Sequence, residues 1–125
     1  MTETVFSCRN GAKNVLRLQC APMDRVRIGF VGVGARGLRA VERMMNIEGA
    51  EVTAVCDFID ANIESSCAIV SKYGGRKPLT FLGEEGWRTL CESDDVDLIY
   101  ISTDWVSHAN IAIYALDCGK HVALE

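Results

Sequence analysis

The sequence predicts an α/β fold, a doubly wound parallel sheet covered by helices on both faces in three α/β/α layers. Three observations lead there. From residue 25 onward, short runs of β-branched and apolar residues alternate with segments of helical spacing. The stretches between successive runs are long enough for crossover helices, which parallel strands require. The first run, "RVRIGFVG", passes through a glycine-rich bend straight into the helical pattern "ARGLRAVERMMNIEG".

Each element can be justified in order. Residues 1–24 carry no sustained period, end in "APMD" and read as an N-terminal arm, with Asn14–Leu18 a candidate edge strand. "RVRIGFVG" is the signature of a strand buried on both faces. The helix after it has apolar residues at Leu38, Val41, Met44 and Met45, with Gly49 as its expected stop. "AEVTAVCDF" is a second strand. "DANIESSCAIVSKYGG" is a second helix, with Asp60 as the candidate N-cap and Gly74–Gly75 at its end. "KPLTFLG" is a short third strand that Pro78 confines to an edge or a strand beginning. "EEGWRTLCES" is a compact helix, "VDLIYIST" a fourth buried strand, and "WVSHANIAIYALDCGK" a helix closing at Gly119. "HVALE" then opens a fifth strand. Right-handed crossovers give the order 3-2-1-4-5. No repeat, low-complexity tract or second domain is visible, so residues 25–125 read as one domain. Glu125 falls at the end of the fifth strand, and the expectation is an N-terminal piece of something longer, truncated after that strand.

Composition narrows the function classes. The chain has 125 residues, 49% hydrophobic and 24% charged, with net charge −4. A binder that neutralises nucleic-acid phosphates needs a basic surface, so no nucleic-acid partner is expected. No apolar run approaches the roughly 20 residues that cross a bilayer. The first residues lack the apolar segment of a signal peptide, so no membrane partner and a cytoplasmic location are expected. Six cysteines (Cys8, Cys20, Cys56, Cys67, Cys91, Cys118) show no C-x-x-C spacing, and four lie inside periodic patterns. They read as reduced packing residues, with no metal site.

Gly32, Gly34 and Gly37 fit G-x-G-x-x-G between a strand and a helix, the context that a dinucleotide-binding reading demands. In that reading Gly32 allows the tight turn, Gly34 lets backbone approach a pyrophosphate, and Gly37 lets the helix lie close on the strand. Ala35 and Arg36 fall in the first helical turn, where unpaired N–H groups and a partial positive charge suit phosphate. Arg36 could add a charge-assisted contact. Asp57 stands 20 residues after Gly37 at the end of the second strand. Its carboxylate would accept hydrogen bonds from both adenosine ribose hydroxyls and repel a 2′-phosphate, favouring NAD over NADP. The bland alternatives are a plain strand–helix turn and a solvated strand end. A methyltransferase also fits glycines after the first strand and an acid after the second.

The far half narrows the choice. In "DLIYISTDWVSHANIAIYALDCGKHVALE", Thr103 and His108 match T-P-x-x-x-H, Ala112, Ala115 and Gly119–Val122 match A-x-x-A-x-x-x-G-K-H-V, and Glu125 matches the glutamate of E-K-P. With the glycine loop, residues 25–125 resemble the N-terminal NAD(P)-binding Rossmann domain of the glucose–fructose oxidoreductase / inositol dehydrogenase (Gfo/Idh/MocA) family. The position of Gly37 and "GKHVALE" disfavour a methyltransferase. The resemblance implies that Thr103 and the backbone after it line the ribose and nicotinamide side of NAD, with Glu125 near the nicotinamide ribose. The family's catalytic lysine follows that glutamate, so no catalytic residue is assigned here and this piece alone is expected to be inactive. Asp104 replaces the family's proline, giving "TDW" for "TPN". "AVERM", "GWRTLCESDDVDLIYISTDW" and "GKHVALE" look most like the family's NAD-dependent glycosidase branch, of the α-N-acetylgalactosaminidase type. That branch implies transient oxidation at a sugar C3, elimination and water addition, outside the paired-carboxylate scheme. A plain sugar or polyol dehydrogenase and a non-catalytic dinucleotide-sensing module stay open. A carbohydrate partner would be held by a second domain absent from this chain, and a homo-oligomer is left open.

The remaining candidates each have two readings. His108 either borders the nicotinamide pocket or serves packing, and Trp105 either walls that pocket or packs in the loop. Trp87, Tyr100, Tyr114 and His121 read as packing residues, and Glu92–Asp97 reads as a solvated turn rather than a cation site.

Overall fold

A computed structural model of the chain describes residues 19–125, so Cys8 and the candidate strand Asn14–Leu18 lie outside the described residues. Residues 19–24 run exposed and without regular structure to the first strand. From there strands and helices alternate: β1 (Val26–Val31), α1 (Ala35–Met44), β2 (Ala50–Asp57), α2 (Asp60–Lys72), β3 (Leu79–Leu82), α3 (Gly86–Glu92), β4 (Leu98–Ile101), α4 (Trp105–Asp117) and β5 (His121–Leu124). All neighbouring strands are parallel, in the order β3-β2-β1-β4-β5, as the crossover rule implied.

Alternation along β1 divides the core in two. Ile28 and Phe30 point toward α1 and α2, where they join Val41, Val55, Ile63 and Val70. Val31 points the other way, toward Leu90 and Cys91 of α3 and Ile111 and Ala115 of α4. Phe30 is wholly buried and stacks on Tyr100 with ring centroids 5.0 Å apart. A burial of this size is worth about 2–3 kcal/mol. Two buried layers on opposite faces explain why β1 reads as a continuous apolar run.

Some local expectations need correction. Asp60 is the first residue of α2, and Ile59 is its cap. The reason is Asp57, whose Oδ1 accepts the Ile59 N–H at 2.9 Å and so turns the chain into the helix. Gly49 does not stop α1, which ends at Met44; it makes the turn into β2 and its carbonyl accepts the Val26 N–H at 2.7 Å. Gly74–Gly75 and Gly119 do end α2 and α4. In each case paired N–H groups fold back on the last turn, Gly75 to Val70 O at 2.9 Å and Lys120 to Ala115 O at 3.0 Å. His121 opens β5 but is exposed rather than buried. The Glu92–Asp97 joint is tied by cations of the chain itself. Lys120 Nζ donates to Ser93 O (2.6 Å) and Val96 O (2.7 Å), and Arg27 pairs with Asp97.

Candidate functional site

The strand order changes direction at β1, with β2 and β3 on one side and β4 and β5 on the other. In open α/β sheets a crevice forms at such a switch point, beyond the carboxyl ends of the strands. A cavity of about 220 Å³ lies there. Val31 and Gly32 from the end of β1, Cys56 and Asp57 from β2, and Ser102 and Thr103 from the end of β4 form its floor. Gly34, Phe58, Trp87, Asp104, Ser107 and Ile111 complete its walls.

The three glycines of the bend have different reasons to be glycine. Gly32 has φ +88°, and a Cβ there would lie 2.5 Å from Ser102 O. A Cβ on Gly37 would lie 1.9 Å from Gly32 O, so only glycine lets α1 sit this close to the bend. Both are therefore demanded by the fold. Gly34 is not: its φ is −71°, and a Cβ there would meet nothing nearer than Asn62 Nδ2 at 3.9 Å. The packing of the chain leaves this position open, and it faces the cavity.

Gly34 also caps α1 without a side chain, and the first turn of α1 carries no acidic residue. The first N–H groups of a helix have no partner inside it, and they carry the positive end of its dipole. Ala35 and Arg36 sit in this turn, both exposed. The bend thus offers open space beside uncompensated donors, which is what an anionic group needs.

Asp57 stands half-buried on the opposite rim. Its Oδ2 accepts the Val33 N–H at 2.9 Å, which locks the strand end to the bend. Its Oδ1 accepts from Ile59 N–H (2.9 Å) and from the Asn62 side-chain amide (3.2 Å). On the β4 side, Asp104 caps α4. Its Oδ1 accepts from Ser107 N–H at 3.0 Å and from the Ser107 hydroxyl at 2.7 Å. Those bonds from Ser107 hold the Asp104 carboxyl below the usual carboxylate range. An aspartate in place of the family's proline therefore has a local job here: it starts the helix.

The structure brings together Gly32, Gly34, Asp57, Thr103 and Asp104 around one cavity, with Gly37 directly beneath the bend. It does not bring the remaining candidates to that cavity. Trp105 is the first residue of α4 and 90% exposed. His108 is half-buried, with Nε2 enclosed and without a hydrogen-bond partner among the described residues. Glu125 lies on the α1 side of the sheet, where its Oε2 accepts from the Tyr100 hydroxyl at 2.5 Å and lies 3.6 Å from Arg43. Burial, with Glu125 adding to it, pushes the Tyr100 phenol up.

Sequence reasoning missed most of the far wall. Ser107 and Ile111 stand four residues apart on α4, so one face of that helix carries both to the cavity beside Thr103. That spacing was a usable signal. Trp87 both packs against Tyr114, edge to face at 5.4 Å, and lines the cavity. Cys56 lines it as an apolar residue, and burial pushes its thiol up to about 12. Cys91 is raised likewise to about 12 by burial. Among the described residues Cys56 and Cys91 are buried and Cys67 and Cys118 half-buried, as packing residues are, whereas Cys20 is exposed. No helix among the described residues is long and apolar enough to cross a membrane.

Comparison with known proteins agrees with this geometry. The family described as oxidoreductase family, NAD-binding Rossmann fold, matches residues 26–125. A protein named glycosyl hydrolase family 109 protein 2, from Phocaeicola vulgatus, is 50% identical over 112 residues, covering 90% of this chain and 27% of that protein. A protein named alpha-N-acetylgalactosaminidase, from Bacteroides fragilis, is 39% identical over 112 residues, covering 90% of this chain and 26% of its own length. The chain thus spans about a quarter of the curated relatives it matches. Among solved structures, myo-inositol dehydrogenase from Lactobacillus casei, in complex with NAD(H) and myo-inositol, superposes with TM-score 0.65 at 26% identity, over 80% of this chain and 28% of that one. Scyllo-inositol dehydrogenase from the same organism superposes with TM-score 0.67 at 21% identity, over 80% and 27%, a likeness of fold. With four-fifths of its length matched on a sheet of this order, the chain belongs to the Gfo/Idh/MocA oxidoreductase family, as its NAD-binding Rossmann domain.

Proposed function

We propose that this domain holds NAD along the carboxyl edge of the sheet, and that the protein carrying it is an NAD-dependent glycosidase acting on α-N-acetylgalactosaminides. The observation that carries the cofactor half is Gly34. Neither its backbone conformation nor its neighbours require glycine, yet it faces the cavity beside the open start of α1. A diphosphate passing close over the backbone supplies the missing reason.

Each residue then has a defined task. The bend and the first turn of α1 bind the diphosphate through backbone N–H groups, with Arg36 within the same turn. Asp57, already fixed by Val33 and Ile59, accepts from the adenosine ribose and disfavours a 2′-phosphate. Thr103 and Asp104 border the far end, while Cys56, Trp87 and Ile111 give the cavity its apolar lining. The chemistry the cofactor supplies is reversible hydride transfer at a sugar C3, which acidifies the C2 hydrogen so that the C1 substituent leaves by elimination before water adds. No residue of this chain is proposed as the acid or base.

The glycosidase half is supported by relatives of 50% and 39% identity that carry glycosidase names. The likeness to an inositol dehydrogenase at 26% identity favours the second reading, a sugar or polyol dehydrogenase. One assay separates them. The full-length protein carrying this domain, given an aryl α-N-acetylgalactosaminide in D₂O, should release the aryl alcohol and place deuterium at C2, with no net NADH. Net NADH formation without aryl release would overturn the glycosidase reading.

A further inference from the structure

The hydrogen bonds at Asp57 leave it unable to do alone what its position suggests. A carboxylate only accepts, at about four lone-pair sites. Val33 N–H holds one site on Oδ2, at 2.9 Å; Ile59 N–H and the Asn62 amide hold both on Oδ1, at 2.9 and 3.2 Å. One site remains, on Oδ2. A ribose diol presents two hydroxyl donors.

The two backbone donors belong to the frame. Val33 is 1% exposed in the glycine bend, and Ile59 is the turn into α2. Asn62 is the adjustable partner: a half-buried side chain in the first turn of α2, making the longest of the three bonds. Its orientation follows from the chemistry, since only the NH₂ end can face a carboxylate. The amide oxygen is then left for another donor. The Asn62 amide also lies 3.9 Å from the position a Gly34 Cβ would take. It therefore stands between the aspartate and the open bend, where a nucleoside must join its diphosphate.

We propose that Asn62 is a further cofactor-binding and specificity residue. Its amide oxygen accepts one adenosine ribose hydroxyl while Asp57 Oδ2 accepts the other, and its N–H stays on Asp57 Oδ1 and keeps the two acceptors aligned. A carboxylate and an amide oxygen suit a free diol, and the negative charge of the carboxylate repels a 2′-phosphate. The inference rests on the dinucleotide reading above.

The test is calorimetry on the 125-residue chain with three probes: NAD, and its analogues lacking the adenosine 2′- or 3′-hydroxyl. Asn62→Ala should weaken NAD about fivefold to tenfold, one hydrogen bond's worth. For one of the two deoxy analogues the substitution should cost nothing further, because the hydroxyl that Asn62 accepts is already gone. An equal loss on all three ligands would show a merely structural role and overturn the proposal, as would no loss on NAD. The unfolding midpoint of the variant, measured alongside, should stay near that of the parent chain, since alanine suits a helical position. If the unsubstituted chain, folded, binds no NAD, the dinucleotide reading fails and takes this inference with it. If it binds NAD but shows no coupling to either hydroxyl, only the Asn62 assignment fails.

Discussion

Gly34→Val separates what the fold needs from what the ligand needs. On the folding side, φ at −71° suits any residue, and the first added atom has 3.9 Å of clearance. The remaining cost is that valine is a poorer N-cap than glycine, about 1 kcal/mol. For a domain of this size that lowers Tm by about 5 °C. On the binding side, a branched side chain would fill the space over which a diphosphate must pass. Hydrogen bonds from backbone N–H to a charged oxygen contribute about 1.5–3 kcal/mol each. Loss of two raises the NAD Kd by about 100-fold or more. Calorimetric titration with NAD, beside thermal unfolding of the same sample, reads both numbers. Gly37→Ala serves as the contrast, because its Cβ would lie 1.9 Å from Gly32 O and must damage the fold itself. A Gly34→Val chain that binds NAD within twofold of the parent would refute the phosphate role.

Two further outcomes are expected. Asp57→Ala removes a ribose acceptor and strips Val33 and Ile59 of their N–H partner, so NAD affinity should fall about tenfold or more and the discrimination against NADP should relax; calorimetry with both cofactors checks it. Asp97 accepts from Arg27 at backbone N, Nε and a terminal guanidine nitrogen (2.9, 3.1 and 3.0 Å), and these bonds hold its carboxyl below the ordinary range. A carboxyl lowered in the folded state contributes stability above its unfolded pKa, near 4, and loses it as pH falls through the lowered value. Urea midpoints at pH 7 and pH 3 should therefore drop further for the parent chain than for Asp97→Asn; equal drops would contradict the assignment.

The fold was legible because the central strands β1, β2 and β4 are covered on both faces, so their apolar runs stand out against the helical spacing between them. What failed was local. Asp60 looked like the cap of α2, but the carboxylate that shapes that turn is Asp57, three residues earlier, doing so from the end of a strand. Gly32, Gly34 and Asp57 were legible at the site because their spacing encodes a strand–turn–helix and its neighbouring strand. Glu125 was assigned to the nicotinamide ribose by family position. Just past β5, its carboxylate is held by Tyr100 and Arg43 on the α1 face, contacts that position in a motif does not record. Phe58 and Trp87 were invisible as site residues, because only the packing of α3 on the sheet brings Trp87 to the cavity. Asn62 lay in an unremarkable helical stretch, and its meaning comes from a count of lone pairs that no sequence pattern records.

The most direct measurement is a crystal structure of this chain grown with NAD. The account predicts the diphosphate over Gly34, within hydrogen-bond distance of N–H groups in the first turn of α1, and the adenosine ribose on Asp57. A dinucleotide seated elsewhere, or a diphosphate held away from Gly34 with Asp57 still bonded only to its present partners, would contradict it.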